Sequence, residues 1–128
     1  MYEAKVVTTV LLVDDDPGVR FALTEVLHDR GYRVISVASG QQALAALQGV
    51  DVVLTDYSMP GMNGLELTAL ITQRAPGLPV ILLTAHCSEL MIRSASSHGA
   101  CGCLSKPFDV EEISRLIDRA QAGNLPCA

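Results

Sequence analysis

Short runs of branched apolar residues recur along this chain at intervals of about twenty residues. They are VLLV at 10–13, VISV at 34–37, VVLT at 52–55, VILLT at 80–84 and a weaker CGCLS at 101–105. Runs of this length without polar alternation predict strands buried on both faces. Between them the apolar residues keep helical spacing: Val19, Leu23, Val26 and Leu27 in the first segment, Ala43, Leu44 and Leu47 in the second, and Leu67, Leu70 and Ile71 in the third. The last carries Val110, Ile113, Leu116, Ile117 and Ala120, and the fourth, around 88–97, is the least periodic. Strand and helix thus alternate five times, which predicts an α/β fold with a parallel sheet, right-handed crossovers and helices on both faces.

Helix boundaries are signalled in the same places. Asp16-Pro17 sets a capping acid before a proline, and Ser39-Gly-Gln-Gln42, Asn63-Gly-Leu-Glu66 and Asp109-Val-Glu-Glu112 have the form of capping boxes. Gly31, Gly49, Gly99 and Gly123 follow helical segments where a left-handed residue ends the helix. With 128 residues the expectation is one domain, 1–128, with a core of about 8–121 and 122–128 as a tail or the start of a linker.

Composition excludes several functions. No apolar run approaches the ~20 residues of a membrane span, and Glu3 and Lys5 break any signal-peptide pattern, so a cytoplasmic location is expected. A net charge of −5 with scattered basic residues argues against direct nucleic-acid binding, which needs clustered Lys and Arg. The four cysteines, Cys87, Cys101, Cys103 and Cys127, read as reduced thiols, and with His86 and His98 they lack the paired spacing of a zinc site.

Ligands of such sheets bind beyond the carboxyl ends of the strands. There the sequence places Asp14, Asp15 and Asp16 after the first run, Asp56 after the third, Thr84 after the fourth and Lys106-Pro107 after the fifth. Crowded carboxylates are tolerable around a divalent cation, and hard oxygen ligands suit Mg²⁺. A lysine converging on the same rim is useful once an anion such as a phosphoryl group arrives, and the Thr84 hydroxyl could donate to it. Asp16, ahead of Pro17, is better explained as a helix cap than as a ligand.

These stretches resemble the receiver domain of bacterial two-component response regulators. LLVDDDP is similar to its acidic motif, LTDYSMPGMNG (54–64) to its phosphoacceptor loop, LLTA (82–85) to its switch hydroxyl and LSKPF (104–108) to its lysine motif. The resemblance implies a flavodoxin-like (βα)5 fold with strand order 2-1-3-4-5. It implies that Asp56 accepts a phosphoryl group from a histidine kinase or phosphotransfer protein. Mg²⁺, or Mn²⁺, would be held by Asp14, Asp15, Asp56 and the backbone carbonyl of Ser58. Lys106, before a cis bond to Pro107, would pair with the phosphoryl oxygens, Thr84 would move toward them, and Ser58 and His86 would tune the lifetime of the acyl phosphate. Output, with dimerisation as an option, would run through the face of helix 4, strand 5 and helix 5 to an output domain or partner protein. One position departs from the pattern: many receivers carry a switch aromatic where this chain has Cys103.

Two competitors come from the same residues. Asp14 and Asp16 have the D-x-D form of haloacid-dehalogenase-like phosphatases, as nucleophile and acid, but the Gly-Thr expected after that motif is missing. A pseudo-receiver that binds proteins without phosphorylation would usually have lost Asp56, Lys106 or an acid of the pair.

Overall fold

The computed structural model describes residues 7–107 and 109–122. Ten elements alternate: β1 (Thr9–Val13), α1 (Pro17–Asp29), β2 (Arg33–Val37), α2 (Gly40–Leu44), β3 (Val52–Asp56), α3 (Gly64–Arg74), β4 (Val80–Thr84), α4 (Glu89–Ser97), β5 (Gly102–Ser105) and α5 (Val110–Gln121). All pairings are parallel and the strand order is β2-β1-β3-β4-β5, as the family resemblance implies.

Strand periodicity divides the core into two layers. Val10 and Leu12 of β1 join Leu54, Leu83, Leu27 of α1, and Ile113 and Ile117 of α5 on one face. Leu11 and Val13 point the other way, onto Ala43 of α2 and Leu67 and Ile71 of α3. Leu82 continues that second face toward Ala95 of α4. β1, β3 and β4 are buried along their whole length, which is why their runs contain no polar alternation.

Three expectations need correction. β2 is a partly exposed edge strand, not one buried on both faces, because it has a neighbour on one side only, and β5 at the opposite edge is likewise half-buried. Val26 leaves the apolar stripe of α1 and is 39% exposed, whereas Leu27 beside it is fully buried. The second helix stops at Leu44; Ala46 N–H then donates to the Ala43 carbonyl and Val50 N–H to that of Leu47, so Leu47 packs on the core from a turn.

The caps follow the sequence closely. Asp16 accepts from Gly18 and Val19 N–H, Asn63 and Asp109 form full capping boxes, and Ser39 accepts from Gln42 N–H. Gln42 itself, however, bonds to Ala38 N–H at 2.7 Å, so Ser39 makes half a box. Gly31 and Gly99 take positive φ two residues beyond the ends of α1 and α4, just after the capping Arg30 and His98. Phe108, Gly123 and Cys127 lie outside the described residues.

Candidate phosphoacceptor and metal site

Three central strands deliver their last residues to one rim. Asp14 prolongs β1, its N–H bonded to the Val37 carbonyl at 3.2 Å, and its carboxylate is 2% exposed. Asp56 ends β3 at 6% exposure and Thr84 ends β4 at 4%. Asp15 follows Asp14 and faces solvent. Carboxylate oxygens of Asp14, Asp15 and Asp56 lie within 4.8 Å of one another.

The third acid of the run behaves differently. Asp16 Oδ1 accepts from Gly18 N–H at 2.8 Å and Val19 N–H at 3.3 Å, which commits it to the start of α1. Its own N–H donates to Asp14 Oδ1 at 2.9 Å. That arrangement removes the acid a dehalogenase-like mechanism would take from Asp16.

Lys106 reaches the rim from the end of β5. Its Nζ is 2.8 Å from Asp56 Oδ1 and 3.8 Å from Asp14 Oδ2, and its backbone N–H donates to the Thr84 carbonyl at 2.7 Å. The peptide to Pro107 is cis, as the resemblance implied. Thr84 Oγ1 accepts from His86 N–H at 3.4 Å, leaving the hydroxyl proton for another acceptor. A cleft of about 470 Å³ opens over these groups, lined by Asp56, Ser58, Thr84, His86 and Lys106, with Tyr57 and Met91 at its wall.

Electrostatics at the rim are unbalanced. Asp14 Oδ2 is buried without a hydrogen-bond partner. Burial is the main cause that raises the Asp14 carboxyl above its ordinary value; the nearby Asp56 and Asp15 push the same way, against the Asp16 N–H and Lys106. An oxygen-only donor set with an orphaned buried oxygen fits a hard divalent cation. Among the described residues no other group of three or more acids, histidines or cysteines is gathered in this way.

Sequence reasoning overlooked Arg20. Its guanidinium donates to the Asp14 carbonyl at 2.7 Å and pins the backbone that carries both acids. The available signal was its position one turn beyond the Asp16 cap, which brings an α1 side chain back over the loop. Cys103 lies where expected on β5, half-buried against Leu82 and Ala95.

Fold and rim together define a receiver domain, and the chain belongs to that family: residues 10–118 match the response regulator receiver domain. Over 111 residues the chain is 44% identical to the DNA-binding transcriptional regulator NtrC of Klebsiella pneumoniae, covering 85% of this chain and 24% of that protein. It therefore spans about a quarter of the length of the curated relatives it matches. Among solved structures it resembles chemotaxis protein CheY4 of Vibrio cholerae, with a TM-score of 0.85 and 32% identity over 90% of this chain and 99% of that one. It also resembles response regulator TrrA of Thermotoga maritima, solved in complex with Mg²⁺-BeF, with a TM-score of 0.80 and 30% identity over 88% and 98% of the two chains.

Proposed function

We propose that this chain is a phosphorylation-dependent switch in which Asp56 takes a phosphoryl group from the phosphohistidine of a kinase or phosphotransfer protein. The observation that carries the reading is the ion pair between Lys106 Nζ and Asp56 Oδ1 at 2.8 Å beside two further carboxylates. A cation already placed against the acceptor can follow the transferred oxygens, while the second Asp56 oxygen remains for attack. A bond forms between that oxygen and phosphorus, the phosphorus–nitrogen bond breaks, and the leaving imidazole keeps the electron pair and takes up a proton. Asp14, Asp15, Asp56 and the Ser58 carbonyl would hold Mg²⁺, or Mn²⁺ by the same oxygen chemistry, and the ion would neutralise phosphoryl charge.

Thr84 then donates its hydroxyl proton to the phosphoryl oxygens, and Ser58 and His86 at the cleft wall govern access of the water that hydrolyses the acyl phosphate. Autophosphorylation from small donors and this hydrolysis are activities of the receiver, not of a separate enzyme. Output runs through α4, β5 and α5 to a linked domain or partner, and self-association there is one form it can take; Leu90 on α4, 74% exposed, supplies an apolar contact. The working compartment is the cytoplasm, and 1–128 is one receiver domain with its core at about 8–121. Among the described residues no helix is long and apolar enough to cross a membrane.

Incubation with Mg²⁺ and acetyl phosphate is expected to add one phosphoryl group, located to Asp56 by intact-mass analysis and peptide mapping. Labelling that persists in Asp56→Asn but disappears in Asp14→Asn would hand the site to the dehalogenase-like alternative. No labelling from acetyl phosphate or any kinase would leave the pseudo-receiver reading.

A further inference from the structure

Beyond the rim, the loop after Thr84 folds back over β5. Register sets Cys103 beside Leu82 and Ser105 beside Thr84. Cys103 and Ser105 are two residues apart on a strand and so share a face, the one that Leu82 presents to Ala95 of α4. Cys87 N–H donates to Ser105 Oγ at 2.6 Å, which fastens the loop backbone to that face. That bond sets Cys87 beside the face that carries Cys103, and Cys87 is the neighbour that, after burial, acts on the Cys103 thiol. Both are free and partly accessible.

We propose that Cys87 and Cys103 form a reversible dithiol–disulfide site that closes a covalent bridge across the two ends of α4. All of α4 (Glu89–Ser97) lies between the two cysteines in sequence, so one bond joins the loop before it to the strand after it. The pairing is non-random in the fold: Cys101, two residues before Cys103, sits at the opposite end of the sheet near Pro76, Gly77 and Leu78.

The two thiols differ in environment. Burial, reinforced by the neighbouring Cys87, pushes the Cys103 thiol up to about 12, so it is fully protonated at neutral pH. Cys87, on the loop, is then the first to meet a peroxide. Its sulfur takes the peroxide oxygen to become a sulfenic acid, releasing one water; the Cys103 sulfur attacks it, the sulfur–sulfur bond forms, and hydroxide leaves with the Cys103 proton as a second water. Two thiols are oxidised and one peroxide is reduced. A thiol reductant reverses the bond by exchange.

The bridge constrains the segment between Thr84 and β5, so it is expected to limit the response of α4 to phosphorylation. That consequence rests on the function proposed above; the bridge does not. The test treats the 128-residue chain with hydrogen peroxide, blocks remaining thiols by alkylation and maps the peptides. Expected is a loss of two hydrogens located to Cys87–Cys103, with Cys101 and Cys127 alkylated, reversal by dithiothreitol, and no bridge in Cys87→Ser at an unchanged melting temperature. Four alkylated thiols after oxidation, or a bond involving Cys101 or Cys127, overturns the site. In the second arm, oxidised and reduced chains receive acetyl phosphate and Mg²⁺. Equal labelling of Asp56, with the amide shift changes of residues 86–105 reduced in the oxidised form, supports the coupling, and identical shift changes overturn it. Labelling of neither form overturns the phosphorylation reading together with the coupling, while the mapped bridge stands on its own.

Discussion

Asp14 is the residue on which the rim turns, because it is an acid that the fold buries and does not fully satisfy. Its carboxyl is raised, so between the ordinary carboxylate value and the raised one the unfolded chain has lost a proton that the folded chain keeps. Stability contributed by this group is therefore present at low pH and lost as pH rises through that interval, leaving a constant penalty at neutral pH. Asp14→Asn is expected to stabilise the metal-free chain by on the order of 1 kcal/mol at pH 7, read as a higher denaturation midpoint in EDTA. The same variant should lose most of its Mg²⁺ affinity. In the parent chain that affinity should weaken as pH falls through the raised Asp14 value, because the proton and the ion compete for one oxygen; calorimetric titration across pH checks it. Three adjacent acids at a strand end were legible as a rim, and Pro17 marked Asp16 as a cap. Which of the other two would be buried was not legible, since that depends on β1 being flanked by β2 and β3.

At the scale of elements, local chemistry was written plainly and exposure was not. Asn63 with Glu66 and Asp109 with Glu112 spell their own caps, and both boxes form. VISV, by contrast, has the composition of a central strand, and its place at an edge is set by topology rather than by its residues. Leu47 was consistent with a longer α2 because a turn can bring it to the same layer as a helix would. Ser88, which caps α4 by accepting from Met91 N–H at 3.1 Å, was hidden in the least periodic segment. Gly64 shows how tightly one element can be held: a Cβ there would stand 2.5 Å from the Asp56 carbonyl oxygen and 2.8 Å from Tyr57 Cα. Both are backbone, so Gly64→Ala must push the start of α3 away from the end of β3, breaking the bond from Gly64 N–H to the Tyr57 carbonyl at 2.8 Å. A cost of about 1–3 kcal/mol is expected, visible in thermal or urea unfolding, with slower labelling of Asp56 at saturating donor. Asp109→Ala, which removes one cap on α5, should cost about 1 kcal/mol and leave labelling intact.

The whole molecule gathers Asp14, Asp15, Asp56 and Lys106 at one end of the sheet, with its hydrophobic layers behind them. A cation that binds this end in the folded state alone stabilises the entire chain by linkage. At a free Mg²⁺ concentration one hundred times its dissociation constant the gain should be about 2.7 kcal/mol, seen as a higher urea midpoint with an unchanged slope. A changed slope would mean that the ion alters the compactness of one of the states instead.

Strand order also bears on how the chain can assemble as it is synthesised. β1 and β2 pair first in sequence, β3 joins the free side of β1, β4 joins β3, and β5 joins β4. No strand has to be inserted between two that are already hydrogen-bonded, although β1 ends in the interior of the sheet. Each newly emerged strand finds an open edge, so a ribosome-bound fragment can extend its sheet by accretion without undoing earlier pairs.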